Sequence, residues 1–184
     1  MRRIPIALLA LSLALSIPGP AGAVPRVGSD VPDVVLRDGW DRDTHLARFR
    51  GMPLLVIYED KGSTEQNDPL KRELARLAKG GQYRKKIALV AIADVSDYDF
   101  WPARGFVKDA IRSESHKQDT LIYCDWDGHV RRTLSLAAGA SNVVFYGRDG
   151  KALFSRSGPL SPEARRELLD LLRAHVETSG TAAR

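Results

Sequence analysis

The segment Pro53–Leu77 reads PLLVIYEDKGSTEQNDPLKRELARL. Its first part, Leu54 to Tyr58, is a short unbroken apolar run, which is typical of a strand buried on both faces of a sheet. A polar turn that contains one glycine comes next. Leu70, Leu74 and Leu77 then recur at spacings of four and three, which indicates the buried face of a helix. The segment therefore predicts a strand, a tight turn and a helix.

Local signals predict where this helix begins. Ser63 followed by Gln66 has the spacing of a capping box, so we expect the helix to begin at Ser63 or Thr64, with Ser63 as its N-cap. Pro69 would then lie about one turn inside the helix and kink it. In this interpretation Lys61 is either a contact for an anion at the helix N-terminus or a solvated turn lysine.

This arrangement resembles the active-site unit of thioredoxin-like proteins. In that superfamily a Cys-x-x-Cys motif lies between the strand and the helix, and a proline follows five residues after the second cysteine. Counting back from Pro69, the motif positions are occupied by Lys61, Gly62, Ser63 and Thr64. The resemblance also implies a cis-proline before the hairpin strand, and the matching position is Ser141. It therefore implies a degenerate active site that lacks the redox cysteines.

The rest of the chain alternates between apolar runs and helical patterns. The other predicted strands are Asp33–Arg37, Ile87–Ala93, Thr120–Trp126, a weak strand at Val130–Leu136, and a hairpin of Asn142–Tyr146 with Ala152–Phe154. The other predicted helices are a short turn within Asp43–Arg50, a helix over Arg104–Lys117 with Phe106, Val107, Ala110 and Ile111 inward, and a final helix from Ser161 with Pro162 at its first position. This order predicts an α/β fold, namely a thioredoxin-like mixed sheet flanked by helices on both faces that ends in a β-hairpin and a C-terminal helix.

Several phrases after the central helix are similar to the YtfJ-like family of secreted, redoxin-related proteins. They are Gly105–Lys108, Asp127-Gly128 before a basic strand, Arg148–Lys151, and Gly158–Glu163. The resemblance extends from about Val27 to Leu172. It implies a secreted protein of the thioredoxin fold without redox cysteines.

The N-terminus has the pattern of an export signal. A basic start, Met1-Arg2-Arg3, precedes an apolar run from Ile4 to Ile17 and an Ala-x-Ala end at residues 21–23. We predict a cleaved secretory signal peptide over residues 1–23, a single domain over residues 24–177 and a flexible tail over residues 178–184. The alternative is a membrane anchor, but the apolar run is shorter than the roughly 20 residues that a span needs. The predicted location is therefore periplasmic or secreted, with no transmembrane segment in the mature chain.

Charge and cysteine content exclude some function classes. The formal net charge of +5 falls to +3 without Arg2 and Arg3, and the basic residues are scattered, so no nucleic-acid partner is predicted. Cys124 is the only cysteine and cannot form an internal disulfide. It lies in a predicted apolar strand without a cationic neighbour, so we predict a buried, unreactive thiol. The alternative is a one-cysteine thiol oxidoreductase that pairs Cys124 with a partner thiol.

Acidic residues follow two central strands, at Glu59, Asp60, Asp94, Asp97 and Asp99. The carboxyl ends of parallel strands share one edge of the sheet, so one hypothesis is a weak site for a hard cation such as calcium. The alternative is that these carboxylates cap loops and keep the surface soluble. The four histidines, His45, His116, His129 and His175, have no metal-ligand spacing, and no cofactor is predicted.

Three aromatic residues lie within four positions, at Tyr98, Phe100 and Trp101. In a loop beside a former active-site edge they form a candidate contact for a partner protein. The alternative is that they fold back as a lid over the core. Stability of a Trp101→Ala variant separates the two hypotheses.

The sequence predicts no catalytic residue, because no histidine lies near Ser63 and no Gly-x-Ser-x-Gly motif is present. The favoured function is a non-catalytic binding or accessory module whose partner is an unidentified envelope protein. The alternatives are the Cys124 oxidoreductase and the metal-binding module on the acidic edge. The oligomeric state is left open.

Overall fold

A computed structural model of the chain describes residues 24–79 and 81–181. The predicted signal peptide therefore lies outside the described residues. Within them, seven strands form one sheet. The strands are β1 (Val35–Asp38), β2 (Asp43–His45), β3 (Leu54–Asp60), β4 (Ala88–Asp94), β5 (Ile122–Asp125), β6 (Asn142–Tyr146) and β7 (Ala152–Ser157).

The strands lie across the sheet in the order β2-β1-β5-β4-β3-β6-β7. The three central strands β3, β4 and β5 are parallel, and Asp60 pairs with Asp94, which in turn pairs with Asp125. β6 is antiparallel to β3, β7 to β6, and β1 to β5. The carboxyl ends of the three parallel strands therefore share one edge of the sheet. The prediction of a mixed sheet that ends in a hairpin is confirmed.

Five helices accompany the sheet in the described residues. They are α1 (Asp68–Lys79), α2 (Gln82–Lys86), α3 (Ala103–Gln118), α4 (His129–Thr133) and α5 (Pro162–Thr181). The final helix begins at Pro162, as predicted. None of the helices in the described ranges combines the length and the apolar character needed to cross a bilayer.

The two faces of the sheet have different covers, because side chains alternate along each strand. Leu55 and Ile57 of β3 pack on one face with Leu70 of α1 and Leu168 of α5. Leu54 and Val56 pack on the other face with Leu46, Val130 and Leu134. Helices therefore lie on both faces, as predicted.

The prediction for the start of α1 is wrong. The helix begins at Asp68, five residues after Ser63, and Pro69 is its second residue. Proline is tolerated there because the first helical N–H groups have no intrahelical partner in any case. Pro69 therefore starts α1 and does not kink it, and residues 61–67 form successive turns.

The predicted strand at Val130–Leu136 is also wrong, because this segment begins with the short helix α4. Asp127 Oδ1 accepts a hydrogen bond from the His129 N–H at 2.9 Å, and Asp125 Oδ2 accepts one from the Arg131 N–H at 2.9 Å. Carboxylates at the first N–H groups of a helix stabilise its N-terminus. The basic residues Arg131 and Arg132 therefore lie on a helix and not on a strand.

Two smaller expectations change as well. In α3, Val107 and Ile111 face inward as predicted, but Phe106 and Ala110 are exposed on the outer side. Residues 43–50 hold the strand β2 before the predicted helical turn, which is a 3₁₀ turn at Leu46–Phe49. Helix α5 extends as far as Thr181, into the segment predicted as a flexible tail, and the flexibility of residues 178–184 stays a prediction.

Candidate functional site

The turn that follows β3 is closed by reciprocal hydrogen bonds between Asp60 and Ser63. Ser63 Oγ accepts from the Asp60 N–H at 2.9 Å, and Asp60 Oδ1 accepts from the Ser63 N–H at 2.8 Å. Ser63 is fully buried. Its hydroxyl therefore stabilises the turn, and the interpretation of Ser63 as the N-cap of the helix is wrong.

The other residues of the degenerate motif face solvent. Lys61, Gly62 and Thr64 are exposed, and Thr64 Oγ1 donates a hydrogen bond to the Lys61 carbonyl at 3.2 Å. Because α1 begins only at Asp68, Lys61 lies well before the helix N-terminus, where the helix dipole is weak. The structure therefore does not support Lys61 as an anion contact at that terminus.

Ser141 lies against this turn, although it is far away in sequence. Its hydroxyl donates a hydrogen bond to Glu59 Oε1 at 2.7 Å and accepts one from Asn67 Nδ2 at 2.9 Å. Its backbone N–H donates to Gln66 Oε1 at 3.0 Å. Ser141 is fully buried. A serine beside a carboxylate has the chemistry of an activated nucleophile, but burial keeps this hydroxyl away from substrates.

Asn67 and Lys71 complete this polar network, and the sequence reasoning missed both. Asn67 Nδ2 also donates to the Gly158 carbonyl at 3.1 Å, and its Oδ1 accepts from the Leu160 N–H at 2.9 Å. Lys71 Nζ donates to Glu59 Oε2 at 3.1 Å and to the Thr64 carbonyl. Buried polar groups that are fully hydrogen-bonded fix a unique local structure. The residues that the sequence resemblance placed at a degenerate active site therefore form a closed structural junction between the turn, α1 and the chain after β7.

Cys124 lies on β5, two strands away from the turn. Cys124 pairs in register with Ala93, and Ala93 pairs with Glu59, so about 10 Å separates the backbones of Glu59 and Cys124. The thiol is buried, as predicted. Burial, with a smaller contribution from the nearby negative charge of Asp38, raises its pKa to about 12. Very little thiolate therefore exists near neutral pH, and its low reactivity stays a prediction.

Cys124 also lines a small pocket of about 290 Å³ at the end of β5. Arg104 lies over the ring of Trp126 in this region, 4.6 Å from the ring centroid, and forms an ion pair with Asp99. The pocket lies at the lower limit of the volumes that small-molecule sites occupy. The Cys124 thiol that lines this pocket is buried.

The acidic residues that follow the strands do not converge. Among the described residues, no group of three or more His, Cys, Asp or Glu side chains is placed to hold a metal ion. Glu59 contacts Lys71, Asp60 contacts Ser63, and Asp99 contacts Arg104. Asp94 Oδ1 accepts from the hydroxyl of Ser96 at 2.6 Å, and Asp97 is exposed. The geometry therefore favours the loop-capping interpretation of these carboxylates.

The aromatic residues of the loop after β4 divide into two groups. Tyr98 packs on Val95, Cys124 and Trp126 in a small core cluster. Phe100 and Trp101 are 58% and 91% exposed. The lid hypothesis is therefore wrong for Phe100 and Trp101, and holds only for Tyr98.

Phe106 is a further exposed aromatic side chain that sequence reasoning placed in the core. It lies in the first half of α3, five residues after Trp101. The buried face of α3 repeats at spacings of four, through Val107, Ile111 and Ser115. That repeat is the sequence signal that could have indicated that Phe106 lies outside the core. We refer to Phe100, Trp101 and Phe106 as the exposed aromatic residues.

Solved structures resemble this fold at low sequence identity. The pneumococcal exposed lipoprotein thioredoxin Etrx1 from Streptococcus pneumoniae aligns with a TM-score of 0.56 and 13% identity, over 78% of this chain and 99% of its own. A mutant of PrxQ from Xylella fastidiosa aligns with a TM-score of 0.59 and 12% identity, over 84% and 99%. A thiol peroxidase from Chromobacterium violaceum aligns with a TM-score of 0.53 and 16% identity, over 81% and 88%.

These similarities show that the chain has a thioredoxin-like fold of the kind found in redoxin-related proteins. A shared fold does not establish a shared activity, because function depends on the residues of the site. No family model matches the chain, and no curated protein matches it.

Proposed function

We propose that this protein is a non-catalytic binding or accessory module built on a thioredoxin-like fold. The observation that carries the proposal is the 91% exposure of Trp101 beside an active-site edge that has lost its cysteines. Exposed apolar patches mark interaction sites, and Trp is enriched among the residues that contribute most to binding. The contact surface would therefore consist of the exposed aromatic residues.

The chemistry of the loop favours a partner with an apolar pocket and a basic rim. Phe100 and Trp101 supply the apolar area, while the exposed carboxylates of Asp97 and Asp99 lie within four residues of Trp101. Asp97 has no ion-pair partner among the described residues, so it is available to a cationic partner. Charges at the edge of an interface mainly raise the association rate and select the partner.

We further propose that the module works in the periplasm or outside the cell, as a member of the YtfJ-like family. The export pattern at residues 1–23 supports this location. One protein of similar fold is named an exposed lipoprotein thioredoxin, which agrees with an extracytoplasmic setting for this fold. The partner would accordingly be an envelope protein.

The alternative of a thiol oxidoreductase that uses Cys124 has less physical support. Such an enzyme needs an accessible thiolate, which usually lies at a helix N-terminus or beside cations. Cys124 is buried on a strand, and burial raises its pKa to about 12 although the positive charges of Lys108 and Arg104 lower it. A reaction through this thiol would require the loop that contains Tyr98 to move away from it.

A capture experiment on the native envelope fraction tests the contact surface. The wild-type protein is compared with a Phe100→Ser/Trp101→Ser variant and with a Met52→Ser/Val27→Ser control, which also removes two exposed apolar side chains. We expect the captured partner to be lost only with the aromatic variant. Removal of a central Trp typically weakens binding by about 30-fold or more. Identical capture by all three proteins would refute the proposed surface.

A further inference from the structure

An open groove of about 1280 Å³ lies on the sheet face between α1 and α3, far larger than the pocket near Cys124. Its floor consists of Leu89 and Ala91 of β4 together with Ile122 of β5. Apolar side chains of the flanking helices and turns form its walls, namely Leu74, Leu77, Tyr83, Ile87, Ile111 and Leu121. The exposed aromatic residues do not line this groove.

The floor of the groove is unusual for a central strand. Leu89 is 41% exposed, whereas its neighbours Ala88 and Val90 are buried on the opposite face. β4 lies between two parallel strands, and sheets of parallel strands are normally covered by helices on both faces. On this same face, α1 and α5 cover β3 and β6. The groove therefore lies in the layer that helices occupy elsewhere on this face of the sheet.

The size of the groove matches a helix. Its lining residues occur along the whole of α1, from Asp68 to Lys79. A helix of similar length, about 18 Å, could therefore lie beside α1 over the exposed floor of the groove. A single acyl chain is much thinner and would fill only a minor part of this space.

The charged residues at the rim of the groove indicate which side chains a ligand could place beside them. Three basic residues of the rim already have acidic partners, in the ion pairs Lys71–Glu59, Arg84–Asp119 and Lys117–Glu114. Arg72 and Lys79 of α1 also line the groove, and they have no ion-pair partner among the described residues. Asp68 of α1 also lines the groove and contacts Lys71 at 3.4 Å. Glu65, which lies before α1 begins, has no ion-pair partner among the described residues. The charged residues that line the groove balance, with five acidic and five basic side chains, but Arg72 and Lys79 are two cations of α1 that an acidic ligand could still contact.

We propose that the groove binds an amphipathic helix of a partner protein. The apolar face of that helix would lie on Leu89 and Ala91, and acidic side chains on one edge would face Arg72 and Lys79. This is the helix-in-groove mode, in which apolar residues at spacings of three and four anchor the peptide. The proposal does not depend on the exposed aromatic residues, so each proposal can fail without the other.

A displayed peptide library tests the groove. The library contains helical peptides of about 14 residues with apolar positions at i, i+3, i+4 and i+7 and random residues elsewhere. It is selected on the folded protein, and the best binder is measured by fluorescence anisotropy. We expect enrichment of Asp and Glu on one edge of the selected helices, and binding that weakens as salt rises.

Two matched pairs of variants assign the binding to the groove. Leu89→Gln should weaken the selected peptide at least about 10-fold, whereas Val35→Gln should not, although Val35 is 42% exposed on another strand. Arg72→Glu should weaken it about fivefold or more, whereas Arg76→Glu on the same helix should not, because Arg76 does not line the groove. Circular dichroism of each variant confirms that it is folded.

Three outcomes would overturn the proposal. The first is that the library yields no helical binder. The second is that neither Leu89→Gln nor Arg72→Glu changes the affinity of the selected peptides. The third is that Arg76→Glu lowers this affinity as much as Arg72→Glu does. A fluorescent fatty acid provides a further comparison. Leu89-dependent binding of the fatty acid without any peptide binder would identify a lipid site and reject the helix.

Discussion

The buried junction at the degenerate active site makes a quantitative prediction for Ser141→Ala. The substitution removes one fully buried hydroxyl and leaves the backbone unchanged. That hydroxyl donates to the carboxylate of Glu59 and accepts from the side-chain amide of Asn67. No cavity larger than one oxygen atom is created, so the cost comes from the lost hydrogen bonds.

The size of the effect follows from those two bonds. A hydrogen bond to a charged group contributes about 1.5–3 kcal/mol, and one between neutral groups about 1 kcal/mol. Glu59 keeps its contact with Lys71, and Asn67 keeps its contact with the Gly158 carbonyl, which limits the loss. We therefore expect Ser141→Ala to lower the free energy of unfolding by about 2–3 kcal/mol. The corresponding fall in Tm is roughly 4–12 °C.

Urea denaturation followed by tryptophan fluorescence measures this loss, and Ser155→Ala is the matched control. Ser155 is also buried, but its hydroxyl has no hydrogen-bond partner among the described residues. Removal of an unpaired buried hydroxyl should leave stability within about 0.5 kcal/mol of wild type or raise it. If both variants have the same stability, the junction does not hold the turn and the reasoning fails.

Three further predictions concern Trp101 and Cys124. In the same denaturation assay, Trp101→Ala should change the free energy of unfolding by less than about 0.5 kcal/mol, because Trp101 is exposed. Trp126→Ala, which leaves a cavity at a buried site, should lower it by about 3–5 kcal/mol. Equal losses in the two variants would show that Trp101 is part of the core. Thiol labelling of Cys124 should be slow in the native protein and fast in denaturant, and equal rates would show that the thiol is accessible. Burial raises the pKa of Cys124 from 9.0 to about 12, so above pH 9 the unfolded chain loses the thiol proton first and unfolding becomes easier. The stability of wild type relative to Cys124→Ala should therefore fall by about 1.4 kcal/mol per pH unit above pH 9, and a pH-independent difference would contradict the burial of the thiol.

The order and pairing of the main strands follow from apolar runs that are visible in the sequence. β3 and β4 are unbroken apolar segments, and their parallel pairing in the centre of the sheet is the arrangement that such segments favour. The hairpin of β6 and β7 follows from its turn at Asp149-Gly150. These signals are local, so the fold class could be predicted.

The start of α1 could not be predicted, because two local structures compete for the same residues. Ser63 and Gln66 have the spacing of a capping box, yet the hydroxyl of Ser63 is engaged by the backbone of Asp60. A serine side chain can stabilise a turn as readily as a helix N-terminus. Pro69 was the residue that indicated the true start of α1, since proline favours the first helical turn.

The residues of the closed junction were missed for a different reason. The partners of Asn67 lie 74, 91 and 93 residues away in the chain. Such contacts depend on how the hairpin and the start of α5 meet the turn, and no local pattern encodes them. The exposure of Trp101 and the groove above Leu89 likewise depend on how the helices are spaced over the sheet.

The direct test of a non-catalytic module is an activity measurement on the purified protein. Insulin reduction with dithiothreitol and consumption of hydrogen peroxide are followed for the wild type and for Cys124→Ser. We predict no turnover above the protein-free reaction in either assay, because the motif cysteines are absent and the Cys124 thiol is buried. Turnover by the wild type that disappears in Cys124→Ser would contradict the proposed function and identify a one-cysteine oxidoreductase.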